Sequence, residues 1–270
     1  MTWYVPRAVA PDLADRLVCT WTAEIEGTHR LVPDGCVDLM WLDRVGIILC
    51  GPDTGSWTFT LPPGTRSVGI RFRPGLVADL FRTSLAELRN RRVGLAELTG
   101  DRPARTATAR LEDADGPRAK VAVLESVARD LRRRIDTEDP WAGVVGGALA
   151  QHSWRISELA AETAMTERQL ERRSHRYFGY GPSTLRSILR LQRFMGLARR
   201  RPYAQLAELA AEAGYADQAH LSRDCRTIAG QTPTALLAGQ APDWHGGLPL
   251  FLGTPRDPSA PVVRRRTTVP

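Results

Sequence analysis

Glu158-Leu159-Ala160-Ala161-Glu162 recurs, residue for residue, as Glu208-Leu209-Ala210-Ala211-Glu212, fifty positions later in the chain. Five helix-favouring residues can repeat by chance, so the residues after each copy decide the matter. After the first come Thr163-Ala164-Met165 and then Thr166, an N-cap residue in front of Glu167–Phe178. After the second come Ala213-Gly214-Tyr215-Ala216 and a helix expected from about Asp217 to Ile228. Each copy therefore reads as a short helix, a tight turn and a second helix, with units at about 155–178 and 204–229. This is a duplicated helix-turn-helix.

The segment between the units fits the same design. Pro182 opens a helix at the position where its missing N–H costs nothing, and Pro202 marks the next break. At 1.5 Å per residue the intervening rod is roughly 30 Å long, close to the roughly 34 Å between major-groove faces on one side of B-DNA. Leu185, Ile188, Leu189, Leu191, Phe194, Met195 and Leu197 give it an apolar surface for both units.

Charge points the same way. The 270 residues carry 37 basic and 30 acidic side chains, and the whole excess lies beyond residue 140. Residues 141–240 hold 13 basic and 8 acidic groups, whereas the first hundred hold 11 of each. A balanced first half and a basic second half suggest a polyanion partner for the second.

In the second helix of the first unit, Leu170, Tyr177 and Phe178 are natural inward anchors, with Ser174 beside them. Arg168, Glu171, Arg172 and His175 share the opposite face. Arginine pairs with guanine O6 and N7, and glutamate accepts from cytosine N4, so Arg168, Glu171 and Arg172 are candidate base contacts. Arg173 and Arg176 lie further round and suit phosphates; an ordinary solvated Glu–Arg face is the competing reading. In the second unit Leu221, Cys225 and Ile228 face inward, which makes Cys225 a core residue. Gln218, Ser222 and Arg223 are left as base contacts and Arg226 as a phosphate contact, while His220, next to Leu221, reads as structural.

At these residues a resemblance becomes plain. Gly214-Tyr215-Ala216-Asp217-Gln218-Ala219-His220-Leu221-Ser222-Arg223, then Gly230-Gln231-Thr232-Pro233, resembles the second unit of AraC/XylS-type transcriptional regulators. Gly179-Tyr180-Gly181-Pro182 resembles the junction after that family's first recognition helix. The resemblance implies a double-stranded-DNA-binding regulator that contacts RNA polymerase. It also implies that the base-facing positions are the six named above. Ser174 departs from the pattern, since the family usually has an aromatic there.

The first 75 residues read as β-rich, with expected strands at Cys19–Ile25, Cys36–Trp41, Gly46–Cys50, Trp57–Leu61 and Val68–Phe72. Pro33-Asp34-Gly35, Gly51-Pro52-Asp53 and Pro62-Pro63-Gly64 separate them. Val37, Leu39 and Trp41 share one strand face and Cys36, Asp38 and Met40 the other; Val68, Ile70 and Phe72 oppose Arg71 and Arg73. Short strands at this spacing suggest a small barrel or sandwich. Pro33–Leu39, Gly51–Thr54 and Arg71–Gly75 resemble a cupin-like sensor module found ahead of such readers. The expected class is therefore α+β multidomain: a β-rich sensor at 1–100, a linker with an amphipathic helix at 101–140, an all-α reader at 141–240 and a basic tail at 241–270. In the linker, Val121, Leu124, Ala128, Leu131 and Ile135 form a stripe that either packs on the sensor or pairs with its own copy in a homodimer.

The polar residues of the sensor leave four readings open. They face water, they pair with each other, they line a pocket for a polar small-molecule effector drawing on Asp38, Trp41 and Arg71, or they support catalysis. The catalytic alternative is a regulator fused to a cysteine alkyl-acceptor or carboxylate-based enzyme, with Asp34, Cys36 and Asp38 as its cluster. It lacks a histidine at nucleophile spacing, so a non-enzyme is expected. No metal and no cofactor are expected, since this half holds only His29 and no Cys-x-x-Cys pair. The N-terminus lacks a signal pattern, no apolar run is long enough for a membrane span, and four scattered cysteines read as thiols. These features lead to the expectation of a cytoplasmic protein working at the nucleoid.

Overall fold

The computed structural model describes residues 3–135, 139–151, 154–239 and 250. Its first half is a six-stranded antiparallel sheet: β1 (Tyr4–Arg7), β2 (Leu17–Leu31), β3 (Val37–Leu42), β4 (Gly46–Cys50), β5 (Trp57–Phe72) and β6 (Arg92–Gly94). The order is β1-β2-β5-β3-β4-β6. The β-rich first half, expected as a small barrel or sandwich, is thus an antiparallel sheet domain whose ladder runs linearly from β1 to β6 among the described residues. The two strands expected at Trp57–Leu61 and Val68–Phe72 are one long strand, because β2 pairs with β5 along its whole length. The proline pair survives inside it at an irregularity: Ile25 faces Thr65 but Gly27 faces Leu61, so Pro62 and Pro63 need supply no ladder hydrogen bond there.

The alternation read from the sequence assigns the two faces. Val37, Leu39, Val68, Ile70 and Phe72 belong to the main core, which runs on beneath the helices. Cys19, Trp21, Cys36 and Tyr4 form a second, smaller core on the other face. Short helices α1 (Val77–Leu80), α2 (Leu85–Leu88) and α3 (Leu95–Thr99) follow the sheet's last strands.

Asp101–Asp115, expected as a partly helical linker, is mostly helix α4 (Asp101–Glu112). Ala104, Ala107 and Leu111 are its buried stripe, a signal hidden by small residues among charges. In α5 (Gly116–Arg132) the amphipathic stripe packs inward: Val123, Leu124, Val127, Ala128 and Leu131 are buried in the main core, with Val121 and Ile135 packed against it. Of the two outcomes for this helix, packing on the sensor is the one observed.

The second half is helical: α6 (Trp141–Gln151), α7 (Ile156–Glu162), α8 (Glu167–Phe178), α9 (Pro182–Arg200), α10 (Leu206–Ala213), α11 (Gln218–Asp224) and α12 (Pro233–Ala238). A π turn over Cys225–Ala229 continues α11. The expected tail at 241–270 lies outside the described residues except for Leu250, which packs against both cores. Among the described residues no helix is long and apolar enough to cross a membrane.

Candidate nucleic-acid interface

The two helix-turn-helix units are built alike. In the first, the Met165 amide returns to the Ala160 carbonyl at 2.8 Å; in the second, the Tyr215 amide returns to Ala210 at 2.9 Å. Thr166 caps α8 reciprocally: its hydroxyl accepts from the Gln169 amide, and the Gln169 carboxamide oxygen accepts from the Thr166 amide. Asp217 caps α11, accepting from the His220 amide at 2.6 Å. Leu170, Ser174, Tyr177 and Phe178 are buried under α8, and Leu221 and Cys225 under α11, as the helical spacing predicts. The Ser174 hydroxyl is fully buried without a hydrogen-bond partner, so this position pays for its small side chain with an unsatisfied group. His220 stands edge-on to the Tyr215 ring, a packing role.

Spacer α9 is 19 residues long, and Arg190 ties it to the second unit. Its guanidinium reaches Asp224 at 2.8 Å and lies over the Tyr215 ring. Burial pushes the Tyr215 hydroxyl pKa up, with the nearby Asp224 charge adding to the shift.

Arg168, Glu171 and Arg172 are exposed on α8, and Gln218 and Arg223 are exposed on α11 with Ser222 half-buried. Glu171 is drawn to His175 at 3.2 Å and lies over Gly181, where a Cβ would meet its carboxylate. Arg226 is exposed at the π turn. The two other arginines expected on phosphate are engaged elsewhere. Arg173 pairs with Asp139 and lies over the Trp141 ring; Arg176 pairs with Asp79 at 3.2 Å. The Tyr177 hydroxyl donates to both carboxylates. Nothing local in the sequence announces this grip, because Asp79 lies 97 residues from Arg176.

The sheet domain also seats the reader through Gly179, Gln192 and Ser56. Gly179, left-handed at φ 85°, closes α8 against Pro52, whose ring would strike any Cβ there at 2.5 Å. Gln192 of α9 donates to the Pro33 carbonyl at 2.7 Å. Ser56 donates its amide to Ile228 at 2.7 Å and its hydroxyl to Ala229 at 2.9 Å.

On the small-core face of the sheet lies a cavity of about 100 Å³. Arg71, 6% exposed, gives two bonds to Asp38 at 3.0 and 2.7 Å and reaches Asp34 at 2.9 Å. Arg92 meets Asp53 in the same two-pronged way, at 2.8 and 2.7 Å. These five charges therefore pair with one another, with Arg71 and Asp34 buried and Arg92 and Asp53 partly exposed. The structure brings Asp38 and Arg71 together, but Trp41 is elsewhere. Three residues from Asp38 on one strand, it points to the opposite face, beneath Lys120. Trp21 of β2, reaching across the intervening β5 at Gly69, takes its place, donating from Nε1 to Asp38 at 2.9 Å. The period-2 alternation alone could have excluded Trp41; finding Trp21 needed the strand register.

Burial pushes the Cys19 thiol up from 9.0 to about 11 and Cys50 and Cys225 to about 12, and it holds Cys36 well above its ordinary value. Among the described residues no group of histidine, cysteine and carboxylate side chains is arranged to hold a metal ion.

Residues 7–94 match the family described as Domain of unknown function (DUF6597), and residues 159–239 match a family described as Helix-turn-helix domain. No curated protein matches the chain. Among solved structures, the chain is similar to ToxT from Vibrio cholerae. An apo ToxT variant gives a TM-score of 0.44 at 10% identity, covering 83% of this chain and 97% of that one. A second ToxT crystal form gives 0.43 at 12%, covering 81% and 98%. ToxT bound to an unsaturated fatty acid gives 0.40 at 12%, covering 78% and 93%. Residues 159–239 thus carry a helix-turn-helix domain of the AraC type.

Proposed function

We propose that the protein binds promoter DNA sequence-specifically, one chain placing α8 and α11 in successive major grooves of a double-stranded site. The observation that carries this reading is the doubled, capped unit on a 19-residue spacer, with six side chains left outward at its reading positions. Arg168, Glu171, Arg172, Gln218, Ser222 and Arg223 take the bases, and Arg173, Arg176 and Arg226 take phosphates once the first two leave their carboxylates. The sheet with its covering helices acts as sensor, and its cavity, with Asp38, Arg71 and Trp21, is the effector site. A contact with RNA polymerase and work at the nucleoid in the cytoplasm belong to the same reading, whereas a homodimer would need a face other than the α5 stripe, which packs inward.

The enzyme alternative is weakened by the thiols. A nucleophilic cysteine needs thiolate near neutral pH, and burial drives these in the opposite direction.

The test is selection of genomic fragments by the full chain, followed by binding across a salt series. One enriched sequence with two half-sites about a helical turn apart, bound less tightly as salt rises, is expected. Recovery of fragments without a shared sequence would remove the sequence-specific reading.

A further inference from the structure

The cavity has two walls that are also the reader's seat. One is the loop of Pro33 and Asp34 and the other that of Gly51 and Asp53; all four residues line the cavity. On their far side the same loops grip three parts of the reader. Pro33 accepts from Gln192 of the spacer. Pro52 packs on Gly179 at the end of the first reading helix, and Ser56 holds the carbonyls that end the second. The loop Gly51–Ser56 thus touches the C-terminal ends of both reading helices.

The chemistry of the lining selects the occupant. Trp3, Trp21 and Phe59 with Leu31 and Met40 supply rings and apolar surface. The charges are committed to each other: Arg71 to Asp38 and Asp34, Arg92 to Asp53. A charged ligand would have to enter beside matched ions or displace one of them, and stripping a partner from a buried pair is costly. An uncharged ring gains apolar contact and leaves the pairs intact.

We propose that the cavity takes a small uncharged aromatic molecule, and that its occupancy moves the Gly51–Ser56 loop and so changes the setting of the two reading helices. This rests on the reading of residues 159–239 as a DNA reader and names the ligand class and transmission of its sensor. Tyr180 supports the second clause. Its hydroxyl is fully buried and has no hydrogen-bond partner, and Asp34, Cys36 and Asp53 are the charged or titratable groups that act on it. The joint between cavity wall and reader is therefore imperfectly satisfied, and a shift of either loop can satisfy it.

The experiment uses the full chain with indole as the uncharged compound and benzoate and benzylammonium as charged ones. Indole should raise the melting temperature and bind at least about tenfold more tightly than either ion. Met40→Trp, which fills the cavity, should remove the effect while the chain still melts cooperatively. Indole should also change affinity for a random-sequence duplex at least about threefold, and Ser56→Ala, which removes the hydroxyl bond to Ala229 but keeps the amide bond to Ile228, should reduce that change without weakening indole binding. Absence of indole binding, or equal binding of the ions, overturns the ligand class. Indole binding with an unchanged duplex affinity, or a change undiminished in Ser56→Ala, overturns the transmission. If no sample binds duplex while indole still raises the melting temperature, the DNA reading fails and the ligand class stands.

Discussion

Arg176 of the first reading helix ends on Asp79 of the sheet domain, 3.2 Å away, and the Tyr177 hydroxyl shares that carboxylate. A carboxylate in this place presents the oxygens and charge that a DNA phosphate would present. Asp79→Asn should therefore raise affinity for random-sequence duplex about two- to fivefold, the range of one partly exposed ion pair. Arg176→Ala should lower it. Filter binding of both variants at one low salt concentration checks the pair; Asp79→Asn binding no more tightly than wild type would show that Arg176 is not held back from phosphate.

Base and phosphate positions separate by sequence dependence. Arg223→Ala should cost about 1–3 kcal/mol on a selected site and relax preference at one base pair. Arg226→Ala should weaken selected and random DNA alike and reduce the salt slope by about 1. Equal losses for Arg223→Ala on both DNAs would reassign it to phosphate.

Gly69 faces Trp21 across the β2–β5 ladder, and a Cβ there would lie 2.3 Å from the indole ring. Gly69→Ala must push Trp21 from its seat and strain its bond to Asp38. A loss of about 1–3 kcal/mol in urea unfolding is expected. An unchanged midpoint would mean that the indole moves without resistance.

The thiols set an alkaline limit. Cys19, Cys50 and Cys225 keep their protons in the folded chain up to about 11, 12 and 12, against 9.0 ordinarily. The unfolded chain ionises first, so their contribution to stability is full below pH 9.0 and is lost as pH rises through these values. Urea midpoints should fall over that window, and a chain with all three replaced by alanine should show a shallower fall. Iodoacetamide at neutral pH should modify these thiols quickly only after unfolding.

The reader was legible because its signals are local. Thr166 with Gln169, Asp217 with His220 and the repeated turn all act within a few residues, so spacing suffices to place them. Strand faces were legible for the same reason. The sheet's strand order, the Trp21–Asp38 bond and the grips on Arg173 and Arg176 depend on pairings tens of residues apart, where no periodicity reports. The extent and buried face of helix α4 were faint for a different reason: alanines at 104 and 107 bury little surface each, and arginines outnumber them.

The π turn at Cys225–Ala229 has a consequence for helical phase. Such a turn carries one residue more than an α-helix uses, and one residue is about 100° of rotation. Deleting Thr227 would restore the regular winding and swing everything after it by that angle about the helix axis. The carbonyls of Ile228 and Ala229 would then leave Ser56, while Gln218, Ser222 and Arg223, upstream of the cut, would keep their aim. The extra residue works as an angular offset, allowing one helix to turn its beginning outward and its end toward the sheet.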